Sequence, residues 1–488
     1  MTNAEPEREG VRARDCMIAT SSPYAADAAI ATLKAGGSAI DAAIAADAVL
    51  GLVEPMATSI GGDLLAMIVE PDGTAHSYNG TGRAPAALTA DLVERLPNRR
   101  IPERHAYSVT VPGAVRGWHD LHRRYGKMPW PQLFTAAIAL AEGGFAVTPI
   151  TAREWRVFEP VLKTDATSAR LFRAGSTPAA GERFVNPELG AILRKIAADG
   201  PDAFYLGEAA QAAAGATRAH GGVLAAADFA THRGEFTTPL STGFRGLTVL
   251  ECPPNTHGVA VLEALAALEA QPLTRDDPQT MVAAVKAIGD ALERAKHTVA
   301  DPAGNTVCTV IVDRDGLAIT LMSSVFKRFG SGISVPGFGF VLQNRGSGFA
   351  TPGHINGPAP GTRAYHTVIP AAVLSNGRFH AGFGVVGGAM QPQGHVQLLL
   401  RIAAWGEPLQ AALDQPRWRL ESEKVLAIEP GMPEPMAKAL RDAGYTEPTG
   451  GELGGRSDFG GSQFVMRAAD GALVGATDKR KDGVARGL

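Results

Sequence analysis

Cysteine is scarce. There are three in 488 residues, Cys16, Cys252 and Cys308, widely spaced and odd in number. They suggest neither a disulfide framework nor a metal cluster. The 12 histidines fall into no zinc-ligand spacing, so no metal site is expected. Aromatic residues are few, at 6%. Long apolar runs are missing, so no segment is expected to span a bilayer. Met1 to Arg14 is polar and charged and has no apolar signal region. Basic runs are missing too, and a net charge of -3 gives no case for nucleic-acid binding. Neither a G-x-S-x-G elbow nor a Walker loop occurs. The default expectation is a soluble cytoplasmic protein without membrane or nucleic-acid partners.

What is present is ordinary for a globular chain: 45% hydrophobic and 19% charged residues, with 57 glycines. Many glycines stand in pairs at turns, which points to close backbone approaches. Residues 1–15 read as a disordered lead. Pro23 opens an Ala-rich helix that ends at Gly36-Gly37. Ser38 caps a second helix over about Ala39–Val53, with Asp41 in its first turn. Leu64 to Val69 reads as a strand, and 130–235 mostly as helices. Phe236 to Cys252 turns to strand, followed by helices near Gly258–Glu269 and Gln279–Val299. After Thr306 come strands and glycine turns until a helix near Gln393–Trp405. This order suggests one layered α/β body with mixed sheets.

The most informative stretch is Gly304-Asn305-Thr306-Val307-Cys308-Thr309-Val310-Ile311-Val312. A turn-prone segment runs into a threonine that opens a β-branched run. Asp313-Arg314-Asp315-Gly316 is a turn, and Leu317 to Met322 leads into Ser323-Ser324. The pattern is a β-hairpin whose first strand starts with a hydroxyl. With the loop near Arg314–Asp315, Ser324 falls opposite Thr306, within one residue. A chain cut before Thr306 would give that residue a free amine beside its hydroxyl, a nucleophile and base in one. On the residues alone, a threonine that merely starts a strand remains the plainer reading.

Gly382, Gly384 and Gly387 fit G-x-G-x-x-G between a strand and a helix, but the acid expected about 20 residues later is missing. The competing reading is an oxyanion hole at Gly387-Gly388, where no Cβ blocks the backbone N–H groups. Arg363 and His366-Thr367, after a Pro/Gly-rich loop, could hold a substrate carboxylate. Arg83, in Gly80-Thr81-Gly82-Arg83-Ala84-Pro85, is a similar anchor candidate.

Taken in order, several motifs resemble the γ-glutamyltranspeptidase family of N-terminal-nucleophile hydrolases. They include Gly36-Gly37-Ser38-Ala39-Ile40-Asp41, Gly61-Gly62-Asp63, Gly82-Arg83-Ala84-Pro85, Thr306 through Gly316, and Leu342-Gln343-Asn344-Arg345-Gly346. Gly387-Gly388, Asp414-Gln415-Pro416-Arg417 and Gly475-Ala476-Thr477-Asp478 continue the series. The resemblance covers nearly the whole chain. It implies an α+β fold, a four-layer αββα sandwich with both segments in one body. It implies self-cleavage at Asn305–Thr306 into a large segment, 16–305, and a small one, 306–488. Thr306 would be the nucleophile, Ser324 the hydroxyl beside it, and Gly387 and Gly388 the oxyanion hole. No cofactor is implied. The partners implied are a small-molecule amide and the two subunits of one precursor, with assembly open between one such pair and a homodimer of pairs.

The sequence departs from classical members at the recognition positions. Val307-Cys308 follows the nucleophile in place of Thr-His. Phe326 replaces an asparagine, Ser347-Gly348 replaces two acids, and His366-Thr367 replaces paired serines. The segment before Thr306 is nearly absent. These departures resemble a divergent bacterial branch that includes oxamate amidohydrolases and is related to cephalosporin acylases. The expectation is an amidohydrolase acting on a small carboxylate-bearing amide, oxamate-like or a dicarboxylic monoamide. The alternatives are a true γ-glutamyl transferase or glutathione hydrolase, and an uncleaved inactive homologue.

Overall fold

Local signals place the first long helix. Ser38 Oγ accepts the Asp41 N–H at 3.2 Å, and Asp41 Oδ2 accepts the Ser38 N–H at 2.9 Å. This reciprocal capping box opens helix Ala39–Val53, of which every residue is buried. A helix apolar on all sides can only sit inside a core. The computed structural model describes residues 8–173, 175–299, 305–448 and 459–488. The segment 301–304 before the expected scissile bond and the side chain of Asn305 lie outside the described residues, as do residues 1–7.

Two seven-stranded sheets form the centre. The first runs, edge to edge, Val11–Ala13, Leu473–Thr477, Gly461–Arg467, Arg378–Val386, Ala371–Ser375, Leu247–Glu251 and Leu240–Phe244. The second runs Val484–Gly487, Met17–Thr20, Asn305–Val312, Ala318–Phe326, Asp63–Val69, Ala75–Asn79 and Glu235–Thr237. Both differ from expectation in one respect. The ladders between neighbouring strands are antiparallel, not mixed. Val11–Ala13, inside the expected lead, forms a strand that pairs with Leu473, Val474 and Gly475.

Side-chain alternation sorts the hairpin's residues onto two faces. Cys308, Val310, Val312 and Met322 join Leu250, Val368, Val386 and Val465 in a core between the sheets. Val307, Ile311, Ile319, Leu321 and Val325 face the other way, against Ile44, Val49 and other helical residues. On the far side of the first sheet, Phe383 and Val385 pack with Val261, Val285 and Val396. Thr306 has the parity of Cys308, so its side chain belongs to the inter-sheet face.

The glycine pattern in Arg378–Val386 has a packing cause. A Cβ on Gly382 would lie 2.9 Å from Thr320 Oγ1, and one on Gly384 would lie 2.7 Å from Met322 Sδ and 2.8 Å from Cys308 Sγ. The two glycines let the sheets approach. They sit inside the strand, not in a phosphate-binding turn. Among the described residues, no helix is long and apolar enough to cross a membrane.

Candidate active site

Thr306 is completely buried near the start of a central strand. Asn305 pairs with Phe326 and Val307 with Ser323, so Ser324 and Val325 together oppose Thr306. This bulge bends the strand beside the hydroxyl. The expected neighbour Ser324 therefore does lie across from Thr306. Ser324 Oγ accepts the Phe326 N–H at 2.9 Å. Phe326 itself has φ 77, a left-handed conformation that is uncommon for a bulky residue.

Sequence reasoning missed the group that touches the Thr306 hydroxyl. Gln391 Nε2 donates to Thr306 Oγ1 at 3.0 Å, and Gln391 Oε1 accepts the Ile369 N–H at 3.1 Å. Ile369 N–H can only donate, so the amide orientation is fixed with its NH₂ toward the threonine. Because Oγ1 accepts here, its own proton is left to point elsewhere. Gln391 lies in the first turn of helix Met390–Leu399 and is wholly buried. That helix starts three residues earlier than the sequence pattern indicates, because the Gly387 and Gly388 carbonyls accept the Met390 and Gln391 N–H groups at 3.2 and 3.0 Å. Gly387 and Gly388 have φ 115 and 63. Only glycine adopts the first readily, and the turn carries the chain from the strand straight to Gln391.

Behind Ser324 lies a buried ionic cluster. Arg345 is fully buried, and its Nη2 reaches Ser324 Oγ at 3.4 Å while its Nη1 reaches Thr367 Oγ1 at 3.5 Å. Its Nε lies 3.8 Å from Asp63 Oδ2, and its guanidinium carbon sits 4.1 Å from the Phe326 ring centre. Burial pushes the Arg345 guanidinium down to about 9, against an opposing pull from Asp63. His366 Nε2 is 3.4 Å from the same Asp63 oxygen, and His366 is held well below its ordinary range by burial and then by Arg345. Its Nδ1 accepts the Val368 N–H at 3.2 Å. Asp63 Oδ1 is occupied by the Gly82 N–H at 2.8 Å and Gln343 Nε2 at 2.9 Å.

Arg83 and Arg363 are brought together. They face each other across an isolated antiparallel bridge. Arg83 Nη1 donates to the Gly361 carbonyl at 3.1 Å. Arg363 is paired with Glu235 and also donates to the Thr81 and Arg233 carbonyls, at 3.1 and 3.4 Å. Of the expected recognition residues, Thr367 and His366 join the Arg345 cluster, and Arg83 and Arg363 meet each other at the isolated bridge. Arg345 and Gln391 carry no sequence signal beyond their motifs. Their meaning comes from burial, which spacing does not reveal.

On the helix face of the hairpin, Ser323 donates to Asp47 and also shares a 2.7 Å hydrogen bond with Thr58, while Trp118 Nε1 donates to Asp47 at 2.8 Å. Burial pushes the Asp47 carboxyl up to about 6. No group of His, Cys, Asp and Glu among the described residues could hold a metal ion.

A family model described as gamma-glutamyltranspeptidase matches residues 25–304 and 292–488. The oxamate amidohydrolase proenzyme of Klebsiella pneumoniae is 31% identical, over 95% of this chain and 96% of its own length. The glutathione hydrolase-like YwrD proenzyme of Bacillus subtilis is 30% identical, over 97% and 98%. The crystal structure of cephalosporin acylase from Bacillus halodurans superposes with a TM-score of 0.92 at 34% identity, covering 100% of this chain and 98% of that one. The similarity extends on both sides of the Thr306 hairpin and leaves no large segment unmatched, so the chain belongs to the γ-glutamyltranspeptidase family, an enzyme family of hydrolases and transferases.

Proposed function

We propose that the protein is an autoprocessing amidohydrolase, cut at Asn305–Thr306, that uses Thr306 to open a small carboxylate-bearing amide. The observation that carries this reading is the fixed Gln391 donor on Thr306 Oγ1, in a buried strand opposite Ser324. Cleavage would yield a large segment, 16–305 with its lead, and a small segment, 306–488, in one αββα body. The Thr306 amine takes the hydroxyl proton, and Oγ attacks the amide carbonyl. The N–H groups of Gly387 and Gly388 hold the resulting oxyanion. Collapse breaks the C–N bond, and the amine leaves with the proton. Water, deprotonated by the same amine, then releases the acid and restores the hydroxyl.

Substrate class rests on the recognition positions. Ser347-Gly348 offers no acid to hold an α-ammonium, and a buried ammonium without a partner is costly. An oxamate-like or dicarboxylic monoamide fits better than a γ-glutamyl compound. A relative named for oxamate amidohydrolysis supports that choice. Denaturing electrophoresis tests the nucleophile. Two fragments split at Asn305–Thr306, absent in Thr306→Ala, are expected. A single full-length chain after long incubation would overturn the reading in favour of an inactive homologue. Turnover of a γ-glutamyl anilide with none of oxamate or succinamate would instead assign glutathione hydrolase or transferase chemistry.

A further inference from the structure

We infer that Arg345, with Thr367 and Ser324 at its two ends, is the site that takes the carboxylate of the acyl donor. This rests on Thr306 being the nucleophile. Three features single out Arg345. First, it is a completely buried cation whose closest polar contacts are long: 3.4 and 3.5 Å to two hydroxyls and 3.8 Å to a carboxylate oxygen. Charge-assisted hydrogen bonds to a matched anion are about 2.7–2.9 Å. Its Nε has no hydrogen-bond partner among the described residues. Second, the Asp63 approach is to Nε, at 3.8 Å, and the other Asp63 oxygen is committed to Gly82 and Gln343. Third, Phe326 covers the guanidinium face at 4.1 Å, so the two-nitrogen edge remains for a ligand.

That edge is directed along the hydroxyls of Ser324 and Thr367, and Ser324 stands opposite Thr306. A carboxylate there would receive a bidentate fork plus a hydroxyl donor, with its acyl chain running toward the nucleophile. The left-handed backbone of Phe326 is what carries its ring over the arginine. The same placement disfavours an α-ammonium group, which would meet a guanidinium instead of an acid. Arg363 is engaged by Glu235 and by the Thr81 and Arg233 carbonyls, and Arg83 gives one N–H to the Gly361 carbonyl, whereas Arg345 is the one wholly buried beside Ser324.

The test compares succinyl 4-nitroanilide with butanoyl 4-nitroanilide, which differ in the terminal carboxylate, on the purified full chain. In the parent enzyme kcat/KM favours the succinyl probe. In Arg345→Met that preference falls by about 100-fold, chiefly through KM, while Thr306-dependent fragments still form. Arg345→Lys retains part of the preference, and added guanidinium restores part of it in Arg345→Met. A parent enzyme without preference, or a preference unchanged in Arg345→Met, overturns the assignment. Should Arg345→Met fail to fold, Thr367→Val keeps the cation and is expected to lower the preference by about 3- to 10-fold; an unchanged preference there counts against the site. Missing fragments in the parent chain sink the nucleophile reading instead, so the two failures are separable.

Discussion

At the scale of single residues, the decisive contact is the one the sequence does not announce. Thr306 is legible because a β-branched run begins there and the ordered motifs around it match a family. Gln391 is one of two glutamines in Gln391-Pro392-Gln393. Only the fold shows that its amide is fixed by Ile369 and aimed at Thr306 Oγ1. Gln391→Leu removes that donor without adding charge. We expect kcat to fall by about 10- to 100-fold, with the protein still folded by circular dichroism. An unchanged kcat would mean the contact is only structural. Arg83 and Arg363 illustrate the converse. Both look like anchors in a loop, yet Arg363 is engaged by Glu235 and the Thr81 carbonyl, and Arg83 donates to the Gly361 carbonyl.

At the scale of elements, close backbone approach explains motifs that composition leaves mute. A Cβ on Gly62 would lie 2.4 Å from the Ser324 carbonyl oxygen, and one on Gly61 would lie 2.2 Å from the Val341 carbonyl oxygen. Gly62 thus lets the turn lie against the hairpin that carries Ser324, and Gly61 lets it lie against the Val341 backbone. Backbone atoms cannot step aside as a flexible side chain can. Gly62→Ala is expected to destabilise the protein by about 1–3 kcal/mol and to lower its melting temperature. A melting temperature equal to the parent's would refute this account. Element boundaries followed local signals well where a cap was present, as at Ser38. They failed at Met390, where the Gly387 and Gly388 carbonyls extend the helix backwards. The late motifs Asp414-Gln415-Pro416-Arg417 and Gly475-Ala476-Thr477-Asp478 also meet only in space. Arg417 Nη2 donates to Asp478 at 2.5 Å, and Arg480 binds both Asp478 and Glu429.

At the scale of the whole molecule, both sheets draw strands from each side of Thr306. The strand Asn305–Val312 lies between Met17–Thr20 and Ala318–Phe326. Cleavage before Thr306 would therefore leave the fragments bound through ladders and a shared core. They should co-elute in size-exclusion chromatography and separate only in denaturant. Separation under native conditions would contradict the intertwined architecture. A second whole-molecule property follows from Asp47. Its carboxyl is pushed up to about 6 by burial, well above the ordinary 3.8 of an unfolded chain. Between those values the folded state binds the proton and the unfolded state does not. Stability supplied by that proton is present at pH 4 and lost as pH rises through about 6, a change of about 3 kcal/mol. Asp47→Asn should flatten this part of the melting-temperature profile. A profile as steep as the parent's would assign the dependence to other groups.

By itself, the sequence determined the secondary structure near its caps, the hairpin and its approximate register, and the motif order that marks the family. These depend on neighbours along the chain, where propensity and periodicity act. The tertiary structure decided which polar groups are stripped of water and which others they meet. It made the Gly382–Gly384 pattern a packing device, placed Gln391 on the Thr306 hydroxyl, and left Arg345 as a buried cation edged by two hydroxyls. Those outcomes depend on contacts between segments far apart in the chain, because desolvation and hydrogen-bond geometry are set only when the two sheets close on each other.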